Sequence, residues 1–143
     1  MFRTIVVGTD GSARAKKAVQ EAVDLARSEG ARIHLVAAFS HNERHWENFD
    51  STAKVQVVDL RTVAEGVLLR EARAIEGQGV EVDWGAREGD PAEAILEAAT
   101  DVDADLIVIG NKGMGGARRF TLGGVPNKVA HHAPCSVMVV RTD

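Results

Sequence analysis

The chain has 143 residues and a formal net charge of -4; 45% of its residues are hydrophobic and one is a cysteine. This length and hydrophobic content predict a single domain over residues 1–143 with a buried core, and they argue against a disordered chain. The acidic balance argues against nucleic acid as the main partner, and no apolar run approaches the about 18 residues that would predict a membrane span. With one cysteine and no signal-peptide pattern at the start, we expect a soluble cytoplasmic protein.

Strands and helices alternate along the first part of the chain. A nearly continuous apolar run over residues 2–8 predicts a strand that is covered on both faces. Ser12 is a suitable N-cap for the helix that follows, and Gly30 is a suitable residue to end it. Residues 32–38 predict a second strand.

The middle of the chain predicts a polar loop and then a long helix. Residues 39–50 read as a solvated loop that lies over a ligand. His41, Glu43 and His45 have the chemistry of metal ligands, but no further ligand pair at a recognisable spacing supports a metal site. Apolar residues at helical spacing predict an amphipathic helix over residues 51–76, ended by Gly77 and Gly79.

Three more strands and two helices are predicted in the rest of the chain. Residues 80–87 alternate between apolar and polar side chains, which is typical of an edge strand with one wet face. Asp90 as N-cap and Pro91 in the first helical position predict the start of a helix. The apolar run over residues 105–110 predicts the fourth strand, and residues 136–140 predict the fifth, after a helix that Pro134 stops.

This alternation predicts an α/β fold, an open, doubly wound, five-stranded parallel sheet with helices on both faces. The third strand belongs at an edge and the apolar first and fourth strands belong at the centre, which the order 3-2-1-4-5 satisfies. The chain then reverses direction between the first and fourth strands. Open α/β sheets bind ligands beyond the carboxyl ends of the strands at that point, where residues 9–12 and 110–124 would form the loops.

The loop after the fourth strand is rich in glycine and in positive charge. Its glycines are Gly110, Gly113, Gly115, Gly116, Gly123 and Gly124, and its cations are Lys112, Arg118 and Arg119. Glycines let backbone N–H groups approach a ligand, and such groups attract anions together with a helix N-terminus. The spacing matches neither the P-loop nor the G-x-G-x-x-G pattern, and a solvated surface loop is the alternative interpretation.

Three stretches resemble the universal stress protein family over nearly the whole chain. They are residues 5–12, residues 127–140 and the spacing Gly110-x2-Gly113-x9-Gly123-Gly124. The last is similar to the family's nucleotide signature G-x2-G-x9-G-S/T, except that Gly124 stands where the family has Ser or Thr. The resemblance implies an adenine-nucleotide-binding protein of stress response or signalling. ATP is the first candidate, AMP and cyclic AMP are alternatives, and Mg²⁺ is expected only with bound ATP.

The resemblance also implies which residues contact the nucleotide. Asp10 would accept hydrogen bonds from ribose hydroxyls, although a turn residue that caps the next helix is the alternative. Backbone groups of Ala37 would bind adenine, and the glycines of the loop would approach ribose and phosphates. The full set of expected nucleotide-binding residues is Thr9, Asp10, Ala37, Gly110, Asn111, Gly113, Gly115, Gly116, Arg118, Gly123, Gly124, Val125 and Pro126.

No catalytic constellation is evident in the sequence. His131 and His132 lie at a predicted helix end, where a cation suits the helix dipole, and Cys135 reads as a small core residue. We therefore expect no dedicated catalytic activity, with slow ATP hydrolysis and a nucleotide-free interaction module left as alternatives. The apolar fifth strand at a sheet edge favours pairing, and the resembling family implies a homodimer through that strand.

Overall fold

The computed structural model describes residues 1–40, 43–46, 55–112 and 124–143, and within 43–46 and 55–58 it describes the backbone alone. These residues form seven strands and four helices. The elements are β1 (Thr4–Gly8), α1 (Ala13–Glu29), β2 (Arg32–Phe39), β3 (Glu43–Trp46), β4 (Val55–Val58), α2 (Leu60–Glu76), β5 (Val82–Glu88), α3 (Pro91–Asp101), β6 (Leu106–Gly110), α4 (Gly124–His132) and β7 (Ser136–Val140).

Five of the strands form one parallel sheet in the order β5-β2-β1-β6-β7. Counted without β3 and β4, this is the order 3-2-1-4-5, so the prediction is confirmed. β1 lies at the centre, where Val7 pairs with Leu35 of β2 on one side and with Val108 of β6 on the other. Every residue of β1 is buried, as its continuous apolar run predicts for a strand covered on both faces.

The two faces of the sheet carry separate hydrophobic cores because successive strand side chains point to opposite sides. One core joins α1 and α2 to Ile5, Val7 and Leu35. The other core joins α3 and α4 to Val6 and Val36. The helices before β5 thus cover one face and the later helices cover the other, which is the arrangement of a doubly wound sheet.

Local capping signals define three helix ends as the sequence predicts. The Ser12 hydroxyl accepts a hydrogen bond from the Ala15 N–H at 3.1 Å, and Gly30 ends α1 with a φ of 70°. Asp90 accepts from the Glu93 N–H at 3.1 Å, and Pro91 occupies the start of α3. Each such N-cap contributes about 1 kcal/mol to stability.

The predicted helix over residues 51–76 is wrong in its first part. Val55–Val58 is strand β4, which pairs antiparallel with β3, and the helix begins only at Leu60. Asp59 is the N-cap and accepts from the Thr62 N–H at 3.3 Å. β-branched valines favour the extended backbone of β4. The prediction of a loop over residues 39–50 is likewise wrong for Glu43–Trp46, and its remainder beyond residue 40 lies outside the described residues.

None of the helices in the described ranges is long and apolar enough to cross a membrane.

The connections of the central strands form a crevice at one end of the sheet. The chain leaves β1 towards α1 on one face and leaves β6 towards α4 on the other. The carboxyl ends of these two neighbouring strands therefore border a crevice.

Gly8, the last residue of β1, packs so closely against α3 that a side chain would not fit. A Cβ at this position would lie 2.5 Å from Ile95 Cδ1, in a core where Ile95 is 2% exposed. We expect Gly8→Ala to lower the free energy of unfolding by about 1–3 kcal/mol through overpacking. Chemical denaturation of the variant measures this change.

Gly85 supplies the matched control for this substitution. It also lies in a strand of the sheet, but a Cβ there has no atom of the described residues within 4 Å, so Gly85→Ala should leave stability unchanged or raise it. Adding Ile95→Val to Gly8→Ala removes the atom that clashes and should recover part of the loss. Equal stability of the two alanine variants would contradict the packing argument.

Candidate functional site

The crevice at the carboxyl ends of β1, β2 and β6 consists of two cavities that share one side chain, Asp10. The first, here called the β6-side cavity, has a volume of about 210 Å³. It is lined by Gly8, Asp10, Ser12, Arg14, Ala15, Ala18, Ile109, Gly110, Lys112 and Val125. Backbone of strand ends, the start of α1 and two cationic side chains therefore surround it.

The second, the β2-side cavity, has a volume of about 290 Å³. Its lining comes from the end of β2 and the first turns of α2. The residues are Asp10, Ala37, Ala38, Phe39, Ser40, Leu60, Val63, Ala64 and Val67. Most of these side chains are apolar, and the guanidinium carbon of Arg61 lies 4.8 Å from the centre of the Phe39 ring. This cavity suits a flat apolar group.

Asp10 is exposed and lies between the two cavities. Its Oδ1 accepts a hydrogen bond from the Ser12 N–H at 2.9 Å, as the interpretation of a turn residue predicts. A carboxylate has about four acceptor positions, so this bond leaves capacity for a ligand hydroxyl. The turn role and the ligand role are therefore compatible.

Thr9 is buried, and all of its described polar contacts are internal. Its hydroxyl donates to Glu71 Oε1 at 3.0 Å and accepts from the Gly11 N–H at 3.1 Å. Its own N–H donates to the Val36 carbonyl at 2.8 Å. Gly11, with a φ of 80°, then turns the chain towards α1. The predicted site residue Thr9 thus holds the turn that presents Asp10.

Glu71 is a residue of this region that the sequence analysis did not identify. It lies on α2 with 8% of its surface exposed, and burial raises the pKa of its carboxyl group. The hydrogen bond from Thr9 and the charge of Lys16 act in the opposite direction. The sequence contains one sign that Glu71 is buried, because this residue falls on the stripe of α2 that Ala64, Leu68 and Ile75 define.

Asn111 and Lys112, at the exit of β6, contact the segment that follows β7. The Asn111 Oδ1 accepts from the Thr142 N–H at 2.9 Å, and its Nδ2 donates to Asp143 Oδ1 at 3.2 Å. Lys112 Nζ lies 2.6 Å from Asp143 Oδ2, and these contacts hold the pKa of the Asp143 carboxyl well below its usual range. The charge of Lys112 is therefore partly neutralised beside the β6-side cavity, and a nucleotide contact of Asn111 stays a prediction.

Four more predicted residues lie near the same cavity. Gly110 borders it and packs against Thr142, since a Cβ there would be 3.2 Å from Thr142 Cγ2. α4 begins at Gly124, so the N–H groups of Gly124 and Val125 belong to the helix N-terminus, where orphan donors attract anions. Pro126 is buried in the first turn of α4, as predicted, and its missing N–H costs that turn nothing.

The remaining predicted site residues lie outside the part of the chain that the structure describes. They are Gly113, Gly115, Gly116, Arg118 and Gly123, and Arg119 lies there too. The same is true of the side chains of His41, Glu43 and His45. Among the described residues there is no group of three or more histidine, cysteine or acidic side chains that would hold a metal ion.

Outside the crevice, the two reactive residue types considered in the sequence have ordinary surroundings. Cys135 packs against the core between the sheet and α3–α4, and burial raises the pKa of its thiol, which disfavours the nucleophilic thiolate. His131 and His132 are exposed in the last turn of α4, where a positive charge suits the helix dipole. Neither position contributes to the crevice.

Comparison with known proteins gives the same family from sequence and from structure. The model of the Universal stress protein family matches residues 1–141. A universal stress protein of Thermus aquaticus is 37% identical over 143 residues, covering 99% of this chain and all of that relative. The crystal structure of a universal stress protein in complex with cAMP has a TM-score of 0.75 and 26% identity, and the match covers 99% of this chain and 98% of that one.

A further solved structure supports the fold. The universal stress protein from Archaeoglobus fulgidus in complex with dAMP has a TM-score of 0.68 and 24% identity, with 96% of each chain covered. Strand order, helix placement and the match of nearly the whole sequence thus agree. This chain belongs to the universal stress protein family.

Proposed function

We propose that this chain binds an adenine nucleotide, with ATP as the first candidate, in the crevice that its two cavities form. We further propose that it acts as a nucleotide-binding protein of stress response or signalling in the cytoplasm. The observation that carries the proposal is the position of Asp10 between an apolar cavity and a cavity bordered by cations and a helix N-terminus. A nucleotide has the same order of groups, with a flat base at one end, ribose hydroxyls in the middle and anionic phosphate at the other end.

The β2-side cavity has the features that an adenine ring needs. Its walls are mainly apolar and include Phe39 and Leu60. β1 pairs with β2 only as far as Val36, and the Thr9 N–H takes the Val36 carbonyl. Ala37 is the first residue of β2 beyond the β1 pairing and lines the cavity, but it still pairs with Ala86 of β5 on the other side. In the proposal, adenine lies beside this end of β2.

The β6-side cavity offers a phosphate both backbone donors and the guanidinium group of Arg14. The α4 N-terminus at Gly124 and Val125 supplies N–H groups and the positive end of the helix dipole. Lys112 is partly neutralised by Asp143. In the proposal, the loop glycines and Arg118 complete this side, and Mg²⁺ would enter only with the phosphates of ATP.

The comparisons support the ligand class. A universal stress protein that is 26% identical to this chain was crystallised in complex with cAMP, an adenine nucleotide that carries ribose and one phosphate. The crevice described here has room on both sides of Asp10 for the two ends of such a molecule. ATP is the first candidate because the loop resembles the family's nucleotide signature.

Asp10→Ala tests the ribose position. Loss of a hydrogen bond to a charged group costs about 1.5–3 kcal/mol, so we expect AMP and ATP to bind about tenfold more weakly or worse. Adenine without ribose should bind the variant and the parent equally. Isothermal titration calorimetry with adenine, AMP and ATP measures all three affinities.

Asp24→Ala is the matched control, because Asp24 is an exposed aspartate of α1 that lines neither cavity. It should leave every affinity unchanged. Mass spectrometry of small molecules released from freshly purified protein identifies the nucleotide that the chain carries. A parent protein that neither carries nor takes up any adenine nucleotide would refute the proposal and favour a nucleotide-free interaction module.

Gly124 offers a test of the phosphate end, because it departs from the family signature. Among the residues that the structure describes, none lies within 4 Å of a Cβ at Gly124, so we expect a serine to be accommodated there. Gly124→Ser should add a hydroxyl donor at the start of α4 and strengthen ATP binding about tenfold, with little change for AMP. Calorimetry with both nucleotides measures the difference.

Gly124→Ala adds the Cβ without the hydroxyl and should leave ATP affinity near that of the parent. Equal effects of the serine on ATP and AMP, or no effect on either, would mean that the outer phosphates do not reach the start of α4.

We also propose a homodimer through the outer edge of β7. Within the described ranges, this strand pairs with β6 on one side and with no strand on the other, and Met138 and Val139 are 36% and 38% exposed. An apolar edge strand offers unpaired backbone groups to a second copy of the chain. The resembling family pairs this strand antiparallel across a two-fold axis.

Val139→Lys should shift the protein towards monomer, since a charge on an edge strand opposes strand pairing. Light scattering at tens of micromolar protein measures the mass. Val139→Thr keeps a neutral β-branched side chain and should leave the dimer intact. A monomeric parent at this concentration would exclude the proposed dimer.

A further inference from the structure

We infer that Glu71 is a positioning residue for the nucleotide, which it serves through Thr9 by fixing the turn that presents Asp10. This inference rests on the proposed function, because it assigns a task at the same crevice. Glu71 lies on α2, 62 positions from Thr9 in sequence, and outside the loop signature. It lines neither the β2-side nor the β6-side cavity but a third cavity of about 440 Å³, which Asp10 and Gly11 also line.

A chain of three hydrogen bonds connects α2 to the turn. The Thr9 hydroxyl donates to Glu71 Oε1 at 3.0 Å, and the Thr9 hydroxyl oxygen accepts from the Gly11 N–H at 3.1 Å. The Ser12 N–H then donates to Asp10 Oδ1 at 2.9 Å. Because a hydroxyl carries one hydrogen, its donation to Glu71 orients its lone pairs towards Gly11.

A second side chain of α2 supports the same turn by packing. Val67 lies one helical turn before Glu71, and its Cγ1 is 3.0 Å from the position that a Cβ on Gly11 would occupy. Gly11 also has a φ of 80°, which favours glycine. α2 therefore contacts the turn both by a hydrogen bond and by van der Waals packing.

Packing alone does not account for a carboxylate at this position. Glu71 is 8% exposed, and its Oε2 has no hydrogen-bond partner in the described part of the chain. A buried carboxylate with an unsatisfied oxygen is unfavourable, and an apolar side chain would fill the same stripe of α2 without that cost. The contact with Thr9 is the feature that an apolar residue would lose.

Four variants test the inference in the full chain. Glu71→Leu and Thr9→Val each remove the hydrogen bond between them and should weaken AMP binding about three- to tenfold, the effect of one lost hydrogen bond. Thr9→Val also removes the acceptor of the Gly11 N–H, so the double variant should bind no more weakly than Thr9→Val alone, since Glu71 acts through Thr9. Glu71→Gln keeps an acceptor for the Thr9 hydroxyl and should bind AMP as the parent does near neutral pH.

The pH dependence of AMP affinity separates positioning from a structural role. Burial raises the pKa of Glu71, so this group takes up its proton at a higher pH than an ordinary glutamate. The charged groups around it are Asp10 of the turn, Lys16 of α1 and Arg70 of α2. Protonation weakens Glu71 as an acceptor, so the parent should lose affinity as pH falls through that raised pKa. Glu71→Gln should lack this loss, while the AMP phosphate titrates in the presence of either protein.

Hydrogen exchange of the Gly11 amide in nucleotide-free protein distinguishes failure of this inference from failure of the proposed function. Glu71→Leu and Thr9→Val should speed that exchange, whereas Glu76→Leu, which changes an exposed glutamate of the same helix, should not. Unchanged exchange at Gly11 in both test variants would overturn the inference even if the parent binds AMP. Faster exchange in a parent that binds no nucleotide would support the Glu71–Thr9 link and refute the proposed function.

If Glu71→Leu does not fold, the AMP affinity of Thr9→Val and the pH profile of Glu71→Gln test the inference in its place. An AMP affinity of Thr9→Val equal to that of the parent, or identical pH profiles for the parent and Glu71→Gln, would overturn the inference.

Discussion

The burial of β1 on both faces is the constraint on which the rest of the structure depends. A strand without a polar face must be covered by helices from both sides, and its neighbours β2 and β6 must pair along both of its edges. The connections from β1 and β6 then leave to opposite faces of the sheet. Their separation leaves a crevice at the carboxyl ends, so the site is a consequence of how the core is closed.

The crevice depends on the turn at residues 9–12, which Glu71 contacts from α2. A negative charge on Glu71 is unfavourable, because its carboxyl group is buried. Thr9, Gly11 and Asp10 would have several accessible conformations if only α1 and β1 constrained them. The contact from Glu71 restricts these conformations, at the cost of a buried carboxyl group whose pKa is raised. Functional sites commonly retain such unfavourable groups, because the fold supplies enough stability elsewhere to hold them.

Periodic patterns of apolar residues predicted most of the fold. They failed at the boundary between β4 and α2, where a strand and a helical pattern overlap. Runs such as β1 and the caps Ser12 and Asp90 are local signals, so strand order and helix starts followed from them. Val57 and Leu60 fit helical spacing with the residues after them, which concealed the boundary at Asp59. The position of Asp10 at the crevice could be predicted from topology. The Thr9–Glu71 contact could not, because pairing between side chains 62 positions apart leaves no periodic trace.

In the proposed site, the β6-side cavity would hold the phosphates, and the contacts of Lys112 reduce the positive charge there. The number of cations in the sequence suggests that the loop after β6 is strongly positive. Lys112, however, forms an ion pair with Asp143, and Asn111 forms hydrogen bonds with Thr142 and Asp143. An anion there would depend on N–H groups at the start of α4 and on Arg14 more than on Lys112. Backbone donors have fixed positions, whereas a lysine side chain must be ordered before it binds. In the proposed nucleotide site, the backbone donors would therefore set the orientation of a phosphate, and Arg14 would add charge.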